Sequence, residues 1–338
     1  MLEHYLWFVT TNWWTVIISL VVVMIVLNFA TSMLEEQLSV IWKKLRISPS
    51  VRWATFDAIS SSLPEFLTAM VWLMLLWNEG LEVGIWTIWG SAIFNILIIP
   101  AMVLLFYKWK DIIKVVIWWV KRDTIFYVVS ILVFLAWLYF HQLQLMWIAL
   151  IILYVFYVYY LYKSSQKHRK ANFEEVEKAF NSVKDKKVFY LNILISLALI
   201  YVWVEVSVTA ASWIGEQLNI SVLVVSLVLL AGITSIPDTL LSVKASKKWD
   251  IDAGLSNAVG SNIFDICIGL WLPILIWTMI MWLDPKVDFN SQIGVFGFLF
   301  ISTIVYYILL SRKSISKNYW IILIGLYIMF IAYLVLFM

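Results

Sequence analysis

An all-α polytopic membrane protein is the fold class the chain predicts: ten transmembrane helices in two inverted five-helix repeats, with discontinuous helices at the midplane. Three observations predict it. Of 338 residues 63% are hydrophobic and only 13% charged, with 21 Trp, a composition that excludes an ordinary soluble domain. Apolar windows long enough for a hydrocarbon core of about 30 Å recur along the chain. Finally, two polar, proline-bearing stretches answer each other. SSLPE at 61–65 matches TSIPD at 234–238, and GSAIFN at 90–95 matches GSNIFD at 260–265. Such paired interruptions in corresponding halves are the pattern of an inverted-repeat secondary transporter.

Taken in order, the apolar windows fall near 13–33, 51–76, 84–107, 124–140 and 145–162, then 188–205, 221–243, 253–282, 293–310 and 318–338. The first is expected as a retained span, because residues 1–10 carry no basic leader and no small-residue cleavage site follows. Every Lys and Arg except Lys286 falls in alternate connections, which places those connections in the cytoplasm and both termini outside. The net charge of +3 reflects this topology and implies no nucleic-acid partner. The organisation is a first repeat over 1–162 with its motif region at about 54–105, a cytoplasmic linker over 163–187, and a second repeat over 188–338 with its motif region at about 221–275. The linker is expected to be solvated, with one short helix near 173–183. The lone cysteine, Cys267, allows no intrachain disulfide.

An acid mid-helix in a bilayer costs roughly 2.5–3.5 kcal/mol on insertion scales, so Glu65, Asp238 and Asp265 call for an ion, proton or substrate pathway. Each proline removes a donor and opposes the carbonyl four residues earlier, freeing the carbonyls of Ser60 and Ile233. Helical spacing sets Ser61 and Ser62 on the face of Glu65, and Thr234 and Ser235 on the face of Asp238. Likewise Ser91 precedes Asn95 by four residues and Ser261 precedes Asp265 by four, while Gly90 and Gly260 permit close helix approach. The interval from Ser48 to Pro64, 16 residues, equals that from Ser221 to Pro237, and the first motif runs inside to outside while the second runs outside to inside. An all-oxygen, anionic set without His or Cys suits Ca²⁺, and Na⁺ at lower charge density, but not zinc or copper.

These stretches resemble the alpha repeats of the cation/calcium exchanger superfamily, and are most like those of the potassium-dependent sodium/calcium exchangers. TSIPD at 234–238 and VGSNIFDI at 259–266 carry the likeness, with GSAIFNIL at 90–97 close behind. The resemblance implies an antiporter, not an enzyme, that exchanges Ca²⁺ for Na⁺ by alternating access and needs no cofactor. Glu65 and Asp238 would be the central ligands, helped by Ser61, Ser62, Thr234 and Ser235. Asn95 and Asp265 would complete the site, beside Ser91 and Ser261. The acid at 265 also resembles the potassium-dependent branch, which makes K⁺ co-transport an open question. In the family the helices that begin each repeat, here 13–33 and 188–205, look like the moving gate. A functional monomer in a prokaryotic inner membrane is expected. Family first repeats usually carry glycine where Ser60 stands, a departure that puts local packing in doubt.

Asp57 has no counterpart, since the matching residue is Leu230. It is expected either to line an inner vestibule or to pair with Arg52. Glu205 reads as an interfacial acid at a helix end, with gating as the alternative. Glu79 and Glu82 read as solvated loop residues, and His4, His141 and His168 as exposed. The Trp and Tyr residues read as lipid-facing or interfacial. A Ca²⁺/H⁺ antiporter on the same scaffold is the rival function. An intramembrane aspartyl protease using Asp238 and Asp265 fails, because no GxGD-type signature is present and the first repeat would have no purpose.

Overall fold

The computed structural model describes residues 6–45, 49–76, 78–107, 112–115, 117–140, 143–164, 186–248, 250–275, 289–312 and 314–337. Most of the 163–187 linker, with His168, lies outside these residues, as do His4, His141 and Lys286.

The described chain is arranged in ten helical runs. They are α1 (Trp13–Lys44), α2 (a turn at Pro49–Arg52, then Trp53–Ser61 and Leu63–Leu76), α3 (Asn78–Phe106), α4 (Ile117–Phe140) and α5 (Leu143–Ser164). The second half gives α6 (Lys186–Leu218), α7 (Val222–Thr234 and Ile236–Lys247), α8 (Ile251–Leu275), α9 (Phe289–Leu310) and α10 (Tyr319–Phe337). Six of these are long and apolar enough to cross a membrane, and the bent pairs of α2 and α7 raise that to as many as eight. The remaining two are α4, which carries Lys121, Arg122 and Asp123 in its first two turns, and α5, whose apolar part covers Ile148–Lys163.

Two departures from the sequence reading concern helix length. α1 continues to Lys44 and α6 to Leu218, each more than ten residues past its apolar window. At 1.5 Å per residue these helices are about 48 Å long, well over the hydrocarbon thickness. Hydropathy falls at Ser32 and Glu35, yet no Gly or Pro interrupts α1 before Pro49, so the helix persists. α6 ends at Asn219, whose φ of 53° is the left-handed stop, with the Ile220 N–H donating to the Gly215 carbonyl at 2.9 Å. Glu205 consequently sits in the middle of α6, not at its end. Glu79 and Glu82 likewise fall in the opening turns of α3, with Glu79 exposed as expected.

α1 and α6 pack along each other and form one hydrophobic cluster with parts of α2 and α7, while a larger cluster joins α3, α4, α5, α8, α9 and α10 and takes in the other faces of α2 and α7. In the larger cluster aromatic side chains interlock. Trp89 meets Phe134 and Phe296 edge-on at 4.9 and 4.4 Å, and Trp137 meets Trp271 at 4.7 Å. Much of the Trp and Tyr content is therefore core rather than lipid-facing: Trp72, Trp86, Trp89, Trp271, Tyr127, Tyr157 and Tyr306 are fully buried. Hydropathy scores apolarity and cannot separate a lipid-facing ring from one that locks two helices together.

The fold is not wholly helical. β1 (Ile112–Lys114) pairs antiparallel with β2 (Ser314–Ser316), Ile113 opposite Ile315, and so ties the α3–α4 connection to the α9–α10 connection at one end of the bundle. Both connections carry basic clusters, so the pairing puts them on the same side, as the charge pattern requires. Lys247 over the Phe106 ring at 4.8 Å and Arg52 over Trp42 at 4.9 Å bring further basic residues to helix ends.

A buried ion pair was not foreseen. Arg122, expected in a connection, and its neighbour Asp123 are buried inside α4, with Nε 2.6 Å from Oδ1. Ser256 of α8 donates to Asp123 Oδ2 at 2.8 Å and Tyr157 of α5 to Oδ1 at 3.2 Å, so one carboxylate joins three helices. Removing it takes the carboxylate from a buried guanidinium and unties the Ser256 and Tyr157 contacts. Asp123→Ala is expected to cost about 3–5 kcal/mol, read as a fall in thermal unfolding temperature in detergent. An unchanged transition would contradict that role.

Candidate cation site

The two broken helices place the site. α2 bends by 45° before Pro64 and α7 by 40° before Pro237, with hinge residues Ser62 and Ser235 at φ, ψ of −88°, 1° and −81°, 1°. Each is preceded by a π-helical turn, Trp53–Asp57 in α2 and Ser226–Leu230 in α7, at the same offset as the prolines. Gly90 of α3 lies against one turn and Gly260 of α8 against the other. A Cβ on Gly90 would stand 1.9 Å from the Leu227 carbonyl oxygen, and one on Gly260 would stand 2.9 Å from Ala54 Cα. Ala54 and Leu227 occupy matching positions of the two motifs. Helix α3 is thus pressed onto α7, and α8 onto α2, by the same device.

That crossing brings hydroxyls of each half to the acids of both. The Ser61 hydroxyl lies 2.5 Å from Asp238 Oδ1, which also accepts from Ser261 at 2.6 Å and Asn257 at 3.2 Å. Glu65 Oε1 accepts from Ser235 at 3.0 Å and Ser91 at 3.4 Å, and Ser91 and Ser235 are 2.9 Å apart. Asn95 Nδ2 reaches the Ser91 hydroxyl at 3.3 Å. In Glu65 and Asp238 one oxygen is held and the other is not: Glu65 Oε2 and Asp238 Oδ2 are buried without a hydrogen-bond partner, as are both Asp265 oxygens, Asn95 Oδ1 and Ser62 Oγ. All three acids are 0% exposed, and among the described ion pairs none joins them to Lys or Arg. Buried anionic oxygens left in this state are costly unless a cation or proton meets them.

Thr234 is equally buried, but its hydroxyl turns back to the Ala231 carbonyl at 3.2 Å. The Ser60 and Ile233 carbonyls lie in the last turns before the two breaks. The acids do not close into a three-carboxylate cage, since among the described residues no three Asp, Glu, His or Cys side chains form a metal-holding group. Asp265 opens the π-helical turn Asp265–Gly269, beyond Ser261 on α8.

Asn257 was missed. It shares its helix face with Ser261 and Asp265, four and eight residues on, and that spacing was the available signal. For Asp57 the structure shows the second of the two expectations, the pair with Arg52. Its Oδ2 pairs with Arg52 Nε at 2.9 Å and its side chain is 5% exposed, so it closes on its own helix and lines none of the described cavities. The acid that lines a described cavity beside Ser60 and Ser61 is instead Glu35, which the apolar window of α1 left out.

Two broken helices, each with a buried acid held by hydroxyls from both halves of the chain, define a membrane-protein fold with a candidate cation site. The chain belongs to the sodium/calcium exchanger protein family, whose profile matches residues 15–164 and 188–336. It is 37% identical to sodium/potassium/calcium exchanger 2 of Rattus norvegicus over 154 residues, 45% of this chain and 23% of that protein. Sodium/potassium/calcium exchanger 1 of Bos taurus is 40% identical over 100 residues, 30% of this chain and 8% of that protein. The chain therefore aligns with less than a quarter of these relatives' length. Among solved structures, the H⁺/Ca²⁺ exchanger CAX superposes with a TM-score of 0.72 at 12% identity, covering 94% of this chain and 81% of that one. The sodium–calcium exchanger NCX_Mj superposes at 0.64 and 24% identity, covering 94% and 97%. These relatives are named as ion exchangers, not as enzymes.

Proposed function

We propose that the protein is an antiporter that exchanges Ca²⁺ for Na⁺ by alternating access around Glu65 and Asp238. The observation that carries this reading is the pair of half-satisfied carboxylates: one oxygen of each is locked by hydroxyls, and the other is buried and free to meet a cation. Ligands to that cation are Glu65, Asp238, Ser62, Thr234, Asn95 and the freed carbonyls of Ser60 and Ile233. Ser61, Ser91, Ser235 and Ser261 brace the acids and add oxygens. Oxygen ligands at variable number suit Ca²⁺ and let Na⁺ compete for the same atoms. α1 and α6, packed along each other, are the moving elements, while α2, α3, α7 and α8 stay fixed. The transported ions are the cargo, no cofactor takes part, the lipid bilayer is the surrounding partner, and one chain holds the whole site.

Sodium as the coupling ion draws support from the names of the relatives and from the TSIPD and GSNIFD motifs; the fold likeness to an H⁺/Ca²⁺ exchanger keeps proton coupling as the second reading. The deciding experiment is ⁴⁵Ca²⁺ uptake into proteoliposomes driven by an outward Na⁺ gradient, with and without K⁺, beside a pH gradient alone. Sodium-driven uptake is expected. Uptake under the pH gradient only would assign proton coupling, and no uptake under either would end the Ca²⁺ reading. If K⁺ is co-transported, Asp265, with both oxygens unpartnered, is its determinant, and Asp265→Asn is expected to make uptake indifferent to K⁺. A K⁺ response unchanged in that variant would remove Asp265 from the role.

A further inference from the structure

A cavity of about 200 Å³ opens between α1 on one side and α2 and α7 on the other. Its walls are Ser32 and Glu35 of α1, Ser60 and Ser61 of α2, and Pro237 and Lys244 of α7. At its inner limit the Ser61 hydroxyl touches Asp238 Oδ1, so the cavity ends on the candidate site. Glu35 and Lys244 share its wall, and Arg52 and Lys248 also act electrostatically on Glu35, which places this part of the cavity at the basic end of the bundle. Glu35 and Lys244 also border the wider cleft of about 600 Å³ that continues outward. At the opposite end a cleft of about 480 Å³ is bounded by Glu79, Ser212 and Glu216, but it stops at Trp72, which is 1% exposed, and reaches no site residue.

We propose that this cavity is the route by which cations reach the Glu65–Asp238 pair from the basic end, and that Glu35, which shares its wall with Lys244, recruits them there. The proposal rests on the exchange reading for its cargo, while its electrostatic core stands apart from transport. The side chains lining the cavity carry one negative and one positive charge, so Glu35 cancels what Lys244 would repel. Replacing Glu35 by Gln leaves Lys244 alone and raises the potential in a narrow, low-dielectric passage. A unit change of that kind alters the local concentration of a monovalent ion by roughly threefold, and of a divalent ion by the square, roughly tenfold. Lys244→Gln shifts the potential the other way. Neither residue hydrogen-bonds a site carboxylate.

The test uses the full chain and the fact that its one cysteine, Cys267, is buried and serves as its own blank. Ser32→Cys, with Leu241→Cys as a second position should the first fail to fold, is labelled by membrane-impermeant cationic and anionic methanethiosulfonates of matched size. The reagents are applied from each side of oriented vesicles. The expected result is labelling from the side of the basic connections. The ratio of cationic to anionic rates is expected to fall roughly tenfold with Glu35→Gln and to rise with Lys244→Gln. No labelling from that side, or a ratio indifferent to both variants, overturns the proposal. In the same vesicles, Glu35→Gln is expected to weaken apparent affinity on that side alone, by roughly threefold for Na⁺ and tenfold for Ca²⁺. Equal losses on both sides, or equal factors for the two ions, would mark Glu35 as merely structural and overturn it. Failure of the exchange reading would appear separately, as wild-type protein that moves no Ca²⁺ while its cavity still labels.

Discussion

Asp238→Asn is expected to abolish Ca²⁺ exchange, lowering ⁴⁵Ca²⁺ uptake in proteoliposomes by at least about a hundredfold while leaving the protein folded. The geometry gives both halves of that expectation. Asp238 Oδ1 accepts from Ser61, Ser261 and Asn257, and an amide oxygen can keep those bonds. Oδ2 has no partner, and it is the atom that becomes an NH₂ group, a donor with no lone pair for a cation. The substitution thus removes charge and ligand together at the atom aimed into the site. A loss of two powers of ten corresponds to about 2.7 kcal/mol, well within what a charge-bearing ligand in a buried site supplies. Glu65→Gln is expected to behave alike, because Ser235 and Ser91 hold its Oε1 and leave Oε2 free. If Asp238→Asn protein retains sodium-driven uptake above a tenth of the wild-type rate, Asp238 is not a central ligand. Retention of the wild-type melting transition is the control that separates lost binding from lost fold.

The parts of this site that could be read in the sequence are those where a residue conflicts with its surroundings. Glu65 and Asp238 announce themselves because an acid follows a proline inside apolar sequence, and the breaks at Ser62 and Ser235 follow from the missing proline donors. Gly90 and Gly260 were legible for the same reason, small residues beside a motif. Asn257 was not, since a neutral amide in a buried helix is a mild anomaly whose meaning appears only when its face is traced to Ser261. Glu35 was lost to falling hydropathy: Asn28, Thr31, Ser32 and Glu35 recur at helical spacing, but the apolar stretch ends at 33, two residues short of Glu35. Asp57 drew attention as an unmatched acid, yet Arg52 lies one turn earlier and the nearer charge won. The three-residue strands of the β1–β2 clasp are too short to show any period, and long-range pairing alone creates them.

Gly90→Ala is expected to be far more damaging than Gly260→Ala, the same methyl added at the matching glycine of the second motif. An added Cβ would sit 1.9 Å from the Leu227 carbonyl oxygen, 2.7 Å from its carbon and 2.8 Å from Ala231 Cβ. Two of those atoms are backbone, inside the π-helical turn Ser226–Leu230, so no side-chain rotation relieves the clash. α3 and α7 must separate instead. That movement carries Ser91, the next residue, away from Ser235, which is four residues past Ala231, and both hydroxyls hold Glu65 Oε1. Overpacking of a tight core costs about 1–3 kcal/mol, and Gly90→Ala is expected at or above the upper end. Gly260→Ala provides the internal comparison. Its Cβ would lie 2.9 Å from Ala54 Cα and 3.1 Å from the Ala54 carbonyl oxygen, contacts that a shift of a few tenths of an ångström accommodates. Thermal unfolding in detergent and ⁴⁵Ca²⁺ uptake should rank the two, with Gly90→Ala losing both folded yield and transport and Gly260→Ala keeping a measurable share of each. The opposite ranking would mean that the α3–α7 contact yields more readily than α8–α2. The first motif helix and its partner would then be the rigid side of the site.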